Sequence, residues 1–216
     1  MYNRQRADSD IADPAVGLIA LGTATLAESG AAVVNCDIRP VWRGATFAGP
    51  AFTVFCAPGD NLAVHAAVAI APRGSVLAVA FGDDTRRGYW GEVLTTAAEA
   101  AGVIAVVIDG TVRDTAAIEQ HRFPVFARGV ALRGATKTGP GSVGKLIVLG
   151  GVTVNTGDWL VGDSDGVVAV RAAGLSLCCE AAVGRAEKEA KFFEDLRAGA
   201  KTVDLLSLDL MPIEGA

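Results

Sequence analysis

The hydrophobic pattern of the chain is dominated by a continuous apolar run, Val103–Ile108, that is rich in β-branched residues. An alanine-rich segment with helical spacing opens at Gly91 and precedes this run, and a second helical segment follows it. An apolar run between two helices is typical of a strand that is buried on both faces of a largely parallel sheet. The pattern predicts that this strand breaks at Gly110 and that Arg113 and Asp114 stand where the next helix begins.

Similar patterns predict the other elements of an α/β protein. Helices are expected where apolar residues recur at helical spacing, namely from Pro14 through Leu26, at Asn61–Ile70 and at Leu175–Arg197. Longer strands are expected at Ala31–Cys36, Phe47–Cys56 and Ser75–Phe81. Short strands separated by turns predict a second, antiparallel-rich layer, and they are Leu146–Leu149, Val152–Val154, Trp159–Val161 and Val167–Val170.

Length and composition favour a single domain over residues 1–216. A chain of 216 residues is long enough to bury about 70% of the surface that it exposes when unfolded. Residues 1–12 are polar and are expected to form a flexible N-terminal segment, whereas residues 175–199 are expected to form a long C-terminal helix.

Charge and cysteine content narrow the choice of partners and compartment. The net charge is −5, from 19 basic and 24 acidic residues without a basic block, so binding to nucleic acid is not expected. The N-terminus lacks the apolar core of a signal peptide, no apolar run reaches membrane-spanning length, and no membrane partner is expected. The four cysteines lack a metal-binding spacing, which favours free thiols and a cytoplasmic location.

Arg113 and Asp114 are the first candidates for a functional site. Ligands of α/β sheets bind beyond the carboxyl ends of the strands, where these two residues are predicted to lie. The pair suits a metal ligand, Asp114, beside an anion clamp, Arg113. The alternative interpretation is that Asp114 caps a helix and Arg113 is its solvated neighbour.

A set of motifs around this pair resembles a known family. Glu92 is followed by twenty residues, then by Arg113 and Asp114, and Glu119 comes after four more. Further segments that carry the resemblance are Gly49–Thr53, Gly59–His65 and the Gly-Asp turns between Gly157 and Val167. Together they resemble the family that contains 4-hydroxy-4-methyl-2-oxoglutarate aldolase and the regulator of ribonuclease activity A, over roughly residues 15 to 200.

The resemblance implies a fold, an assembly and an activity. The fold is a layered β/β/α sandwich of the swivelling-domain type, assembled as a homotrimer or as a homohexamer formed by two trimers. The activity is that of a divalent-metal-dependent class II aldolase, a carbon–carbon lyase. It cleaves a 4-hydroxy-2-oxo acid to pyruvate and a second carbonyl product, with oxaloacetate decarboxylation as a side activity.

The resemblance also implies roles for individual residues. Asp114 is expected to bind Mg²⁺ or Mn²⁺, and Glu92 is expected to contact the metal through water. Arg113 is expected to stabilise the enolate of pyruvate. The backbone amides of Gly91, Glu92, Val93 and Leu94 open a helix and are expected to bind the 2-oxo acid carboxylate. Family members complete the metal site with an acidic residue of a neighbouring subunit, for which Glu189 is the first candidate here and Glu187 the second.

Several alternatives remain open. The chain could be a non-catalytic regulator of a ribonuclease that acts through protein–protein binding. No base for the 4-hydroxyl proton is evident, and a metal-bound water is the expected acceptor. His65 is interpreted as an ordinary packed or surface histidine. The segment Gly139–Lys145 resembles a phosphate-binding loop, but Leu146 replaces its Ser or Thr and a strand is predicted next, so no ATP site is expected.

Overall fold

The computed structural model describes residues 14–82 and 86–214. The predicted flexible segment 1–12 therefore lies outside the described residues. Six α-helices occur within these ranges, together with a short 3-10 helix at Ala172–Gly174. The α-helices are α1 (Pro14–Ala27), α2 (Leu62–Ile70), α3 (Glu92–Ala101), α4 (Thr115–His121), α5 (Leu175–Arg197) and α6 (Thr202–Leu205). None of them is long and apolar enough to cross a membrane.

Twelve strands occur in the same ranges. They are β1 (Ala32–Val33), β2 (Arg39–Pro40), β3 (Phe47–Cys56), β4 (Val76–Ala80), β5 (Gly88–Trp90), β6 (Ala105–Val112), β7 (Val125–Val130), β8 (Gly141–Val143), β9 (Ile147–Leu149), β10 (Val152–Val154), β11 (Trp159–Asp163) and β12 (Gly166–Val170).

Ten of the strands form one mixed sheet. The main path runs in the order β1-β12-β11-β3-β4-β6-β7-β2, with β5 paired to β6 and β8 paired to β3. Strands β3, β4, β6 and β7 are parallel, and β11 and β12 continue the sheet in antiparallel fashion from β3. The predicted antiparallel layer thus has two parts, because β11 and β12 join the main sheet whereas β9 and β10 form a separate hairpin.

Two apolar clusters hold the layers together. The larger one surrounds the parallel strands, packing them against α2, α3 and α4 and against residues of the β9–β10 hairpin. The smaller one lies under α1 and α5, where Leu18, Leu26, Cys178 and Ala182 pack against β11 and β12. Apolar burial of this kind stabilises by about 25 cal/mol per Å², and it orients α3 and α4 over the ends of the parallel strands.

Strand β6 is longer than the sequence pattern predicts. It continues through the expected break and ends at Val112. The half-buried carboxylate of Asp109 can remain inside the strand because the Arg128 guanidinium and the Gly150 N–H both donate to it. Gly110 also remains inside the strand, where its lack of a side chain leaves room for the Phe81 ring. An added Cβ would lie 3.0 Å from that ring. The consequence is that Arg113 follows the strand directly, without an intervening loop.

The predicted strand Ala31–Cys36 is mostly wrong. Only Ala32 and Val33 pair with β12. The chain then leaves the sheet, because the Asn35 side chain accepts a hydrogen bond from the Asp37 N–H at 2.8 Å and forms an Asx turn. By contrast, the glycine-rich segment 139–145 behaves as expected: it contributes strand β8 and leads into β9, so it lacks the helix that a phosphate-binding loop requires.

Candidate active site

A pocket of about 230 Å³ lies where the parallel strands β5 and β6 meet the helices that follow them. One side is formed by the start of α3 and by Arg113 and Asp114, and the other by α2 and the segment 134–137. The pocket brings together Gly91, Val93 and Leu94 with Arg113 and Asp114. Five of the residues implicated by the sequence therefore line one cavity.

Asp114 has an unusual backbone and a side chain that does not cap its helix. It precedes α4 with φ 57° and ψ 37°, in the left-handed region, and makes no side-chain capping bond. A non-glycine residue in this region is strained by about 1–2 kcal/mol. Its Oδ2 instead accepts a hydrogen bond of 3.2 Å from the Glu92 N–H. The geometry therefore departs from the helix-cap interpretation and turns the carboxylate towards the start of α3.

Gly91 makes this approach possible. An added Cβ at Gly91 would collide with Asp114 Oδ2 and would lie 3.2 Å from the Arg113 side chain. The glycine has extended backbone angles, so its role here is space and not conformational freedom. Any larger residue at position 91 would separate the start of α3 from the carboxylate.

The first turn of α3 offers free amides to the pocket. The helix begins at Glu92, so the N–H groups of Glu92, Val93 and Leu94 have no partner within the helix. Asp114 takes the Glu92 N–H, and no described residue accepts from the other two. The amides of Val93 and Leu94, like that of Gly91, are therefore left for an anion, and only the Glu92 amide is removed from the predicted set of four.

Arg113 is anchored through its backbone. Its N–H donates to the Trp90 carbonyl at 2.9 Å, and its Nε lies 3.6 Å from Asp114 Oδ2. The side chain is 43% exposed, so the guanidinium is held at the mouth of the pocket and can still contact a ligand.

The acidic residues predicted to complete the site are not at the pocket within one chain. The Glu92 side chain lies 4.0 Å from His121 Nε2 and is mostly exposed. Glu119 is exposed on α4, and Glu187 is exposed on α5. Glu189 lies on α5 with its Oε1 2.9 Å from Arg185 Nε. None of the four lines the pocket.

The donor set at the pocket suits a hydrated oxygen-seeking cation. Among residues 14–82 and 86–214, no three His, Cys, Asp or Glu side chains are grouped closely enough to hold a metal ion. Asp114 presents one carboxylate, and no residue in these ranges donates a hydrogen bond to its Oδ1. Mg²⁺ commonly takes one or two protein carboxylates and keeps several waters, so it fits this site, whereas a three-ligand zinc site does not.

The far side of the pocket holds two residues that the sequence interpretation missed. Asn61 and His65 both line it, as does the exposed Lys137. Asn61 Oδ1 and His65 Nε2 are buried and, among the described residues, have no hydrogen-bond partner. The interpretation of His65 as an ordinary packed or surface histidine overlooked this lining position. The spacing of four residues, which puts Asn61 and His65 on the same side of α2, was the available signal.

A buried carboxylate fixes the wall that carries Lys137. Asp60 is only 3% exposed, and its oxygens accept hydrogen bonds from the Leu62 N–H, the Thr136 hydroxyl and the Thr138 N–H at 2.7 to 2.8 Å. Burial alone would raise the pKa of Asp60, but these hydrogen bonds outweigh it and hold the pKa well below the usual range. The segment 136–138 is thereby tied to the start of α2.

Replacing Asp60 by Asn is expected to destabilise the protein by about 2 kcal/mol, since an amide cannot satisfy the same donors. The pKa of Asp60 is lower in the folded state than in the unfolded state. The extra stability of the wild type should therefore be fully present above the unfolded-state pKa of about 4, and it should shrink as the pH falls towards the folded-state pKa. Urea unfolding of both proteins between pH 3 and pH 7 measures this difference. A difference that stays constant across that range would contradict the assigned role.

Comparison with known proteins shows a family to which the chain is similar. Residues 10–169 match the family model described as RraA-like, Aldolase/RraA. A protein of Halalkalibacterium halodurans, provisionally named 4-hydroxy-4-methyl-2-oxoglutarate aldolase, is 36% identical over 137 residues, which are 63% of this chain and 65% of that protein.

Solved structures agree with the fold. A protein from Pseudomonas syringae has a TM-score of 0.79 and 27% identity, over 86% of this chain and 89% of its own. The RNA-processing inhibitor RraA from Thermus thermophilus has a TM-score of 0.64 and 26% identity, over 69% of this chain and 92% of its own. These similarities confirm the family resemblance and the layered α/β fold that the sequence predicted.

Proposed function

The chain belongs to the RraA-like family, and from this premise we propose that it is a divalent-metal-dependent aldolase of the class II type. Its substrate is a 4-hydroxy-2-oxo acid such as 4-hydroxy-4-methyl-2-oxoglutarate, which it cleaves to pyruvate and a second carbonyl compound. Decarboxylation of oxaloacetate is the side activity, because both reactions pass through the enolate of pyruvate. We further propose a cytoplasmic homo-oligomer, a trimer or a pair of trimers.

One observation carries this proposal. The Asp114 carboxylate, the Arg113 guanidinium and the free amides of Val93 and Leu94 line a single pocket. These groups match what a 2-oxo acid needs, namely donors for its carboxylate and positive charge near its 2-oxo oxygen. The strained backbone of Asp114 supports the same proposal, because strain of this kind clusters at functional sites.

The roles of the residues follow from their chemistry. The amides of Val93 and Leu94 bind the substrate carboxylate at the positive end of the α3 dipole. Asp114 would hold a Mg²⁺ or Mn²⁺ ion, Glu92 would act on it through water, and Glu189 of a neighbouring chain would complete its shell. When bound, that ion acts as a Lewis acid towards the 2-oxo oxygen. Arg113 donates hydrogen bonds to the oxyanion that develops as the C3–C4 bond breaks.

A second function is favoured by the similarity to the RNA-processing inhibitor RraA. In that case the chain would act by binding a partner protein, and the pocket would have no catalytic role. Family membership does not separate the two functions, because one fold can carry several activities.

Pyruvate release distinguishes them. The purified protein is incubated with 4-hydroxy-4-methyl-2-oxoglutarate or with oxaloacetate in the presence of Mg²⁺, and pyruvate is measured with a coupled dehydrogenase. The aldolase proposal expects release from both compounds above the uncatalysed rate. No release from any 4-hydroxy-2-oxo acid or from oxaloacetate would favour the binding function.

Arg113→Lys is expected to lower the turnover number by about 10²-fold, the scale for losing one oxyanion donor. A planar guanidinium can make two directed hydrogen bonds, which the ammonium of lysine cannot reproduce. The loss should fall on kcat more than on KM, since the contact strengthens as the oxyanion forms. Arg122→Lys is the matched control, because that exposed side chain stacks on Trp42 away from the pocket. A near-normal kcat for Arg113→Lys would remove this residue from the chemistry.

A further inference from the structure

The wall of the pocket formed by α2 has unsatisfied hydrogen-bonding atoms. Asn61 is 5% exposed, and its Nδ2 donates to the Tyr89 carbonyl at 2.8 Å. A carbonyl oxygen can only accept, so this bond fixes which side of the amide is nitrogen. Asn61 Oδ1 is therefore an acceptor, and it is buried without a donor among the described residues.

His65 adds a second unsatisfied atom four residues later. Its Nε2 is buried without a partner among the described residues, and the residue lines the same pocket as Asn61, Arg113 and Asp114. In the part of the chain that the structure describes, these two are the buried side-chain nitrogen and oxygen atoms without a partner. Leaving such an atom unsatisfied is unfavourable, and an unsatisfied atom in a native protein calls for an explanation such as a ligand.

His65 is also held in its neutral form, which can accept a proton. Burial lowers the pKa of His65 below its ordinary value, the positive charge of Lys137 lowers it further, and the Asp60 carboxylate acts in the opposite direction. The ring is therefore neutral at neutral pH. In the tautomer that carries its hydrogen on Nδ1, the Nε2 atom has a lone pair available for a donor.

We propose that His65 is the base that removes the 4-hydroxyl proton of the substrate, and that Asn61 Oδ1 helps to bind that hydroxyl. This inference rests on the proposed aldolase function and replaces the metal-bound water expected from the sequence. Two acceptors can share one hydroxyl hydrogen in a three-centre hydrogen bond. Of the two, only the imidazole nitrogen is basic enough to take the proton.

The step balances without a further reactant. The 4-hydroxyl O–H bond breaks, its proton moves to His65 Nε2, and its electron pair forms the new C4 carbonyl. The C3–C4 pair moves to C3 and forms the enolate, whose oxyanion lies towards Arg113. A proton then returns from His65 to C3, which yields pyruvate and restores the neutral ring.

Oxaloacetate gives a way to isolate this role. Its decarboxylation also forms the enolate of pyruvate, but it has no hydroxyl proton to remove. A group that only stabilises the enolate, such as Arg113, should matter for both reactions. His65 should matter chiefly for the cleavage of hydroxylated substrates.

The test measures both reactions on the same preparation of His65→Gln, which keeps a polar side chain but removes the basic nitrogen. We expect kcat for cleavage of 4-hydroxy-4-methyl-2-oxoglutarate to fall by about 10²-fold or more, the scale for general base catalysis, with decarboxylation within about threefold of wild type. The matched control is His121→Gln, because His121 is the last residue of α4 and its Nδ1 lies 2.8 Å from Glu99 Oε2 of α3. It should leave the ratio of the two activities unchanged.

The outcomes separate this inference from the proposed function. If the wild type releases pyruvate but His65→Gln leaves the ratio of the two activities unchanged, then His65 is not the base. If both activities fall together in His65→Gln and also in His65→Asn, then the role is structural and the inference is wrong. If the wild type is inactive on both compounds, then the aldolase function fails and this assignment fails with it.

Discussion

Treatment with EDTA should lower pyruvate release from both 4-hydroxy-4-methyl-2-oxoglutarate and oxaloacetate by more than about 10²-fold, because a Lewis acid contributes several kcal/mol to such reactions. Added Mg²⁺ or Mn²⁺ should restore it. The physical reason is the composition of the pocket. Its lining contains two cationic side chains, Arg113 and Lys137. Lys137 lies on the α2 side with His65, so Arg113 is the one of the two that lies beside Asp114. The metal is therefore expected to carry most of the charge stabilisation at the oxyanion.

Binding of Mn²⁺ gives a second readout that does not depend on turnover. Titration followed by electron paramagnetic resonance should show binding to the wild type and loss of it in Asp114→Asn. Asp165→Asn is the control, since this exposed turn residue lies between β11 and β12, outside the pocket. Full activity after thorough chelation, or unchanged Mn²⁺ binding by Asp114→Asn, would contradict the assigned role of Asp114.

The fold could be predicted where local pattern and burial agree. Strand β3 and helix α5 have the predicted bounds, because the first is a mostly apolar run and the second a long periodic segment with Gly199 soon after it. The break predicted near Gly110 was wrong for a non-local reason. Asp109 carries a charge that normally ends a strand, but Arg128 from β7 and Gly150 from the β9–β10 turn satisfy it.

The candidate site was predictable on one side only. The start of α3 and the pair Arg113 and Asp114 lie at the two ends of one continuous α3–β6 segment, so spacing along the chain was enough to associate them. Asn61 and His65 come from a helix about fifty residues earlier, and their importance depends on which side-chain atoms remain unpaired. That property is set by tertiary contacts such as the bond from Asn61 to Tyr89. A sequence pattern does not carry this information.

Helix α5 bears on how the site is completed. Its buried residues are Cys178 and Ala182, near its start. Glu189 lies about two turns further along, where it is half-exposed and paired with Arg185. The second half of α5 therefore has little contact with its own chain, and a side chain there is available to a neighbouring copy. This arrangement supports the proposal that Glu189 acts at the Asp114 site of another subunit.

Asp114→Ala and Glu189→Ala should each be inactive alone, and mixing the two variants should restore activity. In an oligomer with head-to-tail interfaces, equal and random mixing pairs an intact Asp114 with an intact Glu189 at about one quarter of the sites. Recovery of up to about a quarter of wild-type activity is therefore expected after co-expression or co-refolding. Glu194→Ala is the matched control on the same helix, since its exposed side chain lies outside the pocket, and it should remain active alone. An active Glu189→Ala protein, or no recovery in oligomers verified as mixed by mass spectrometry, would show that Glu189 does not complete the site across an interface.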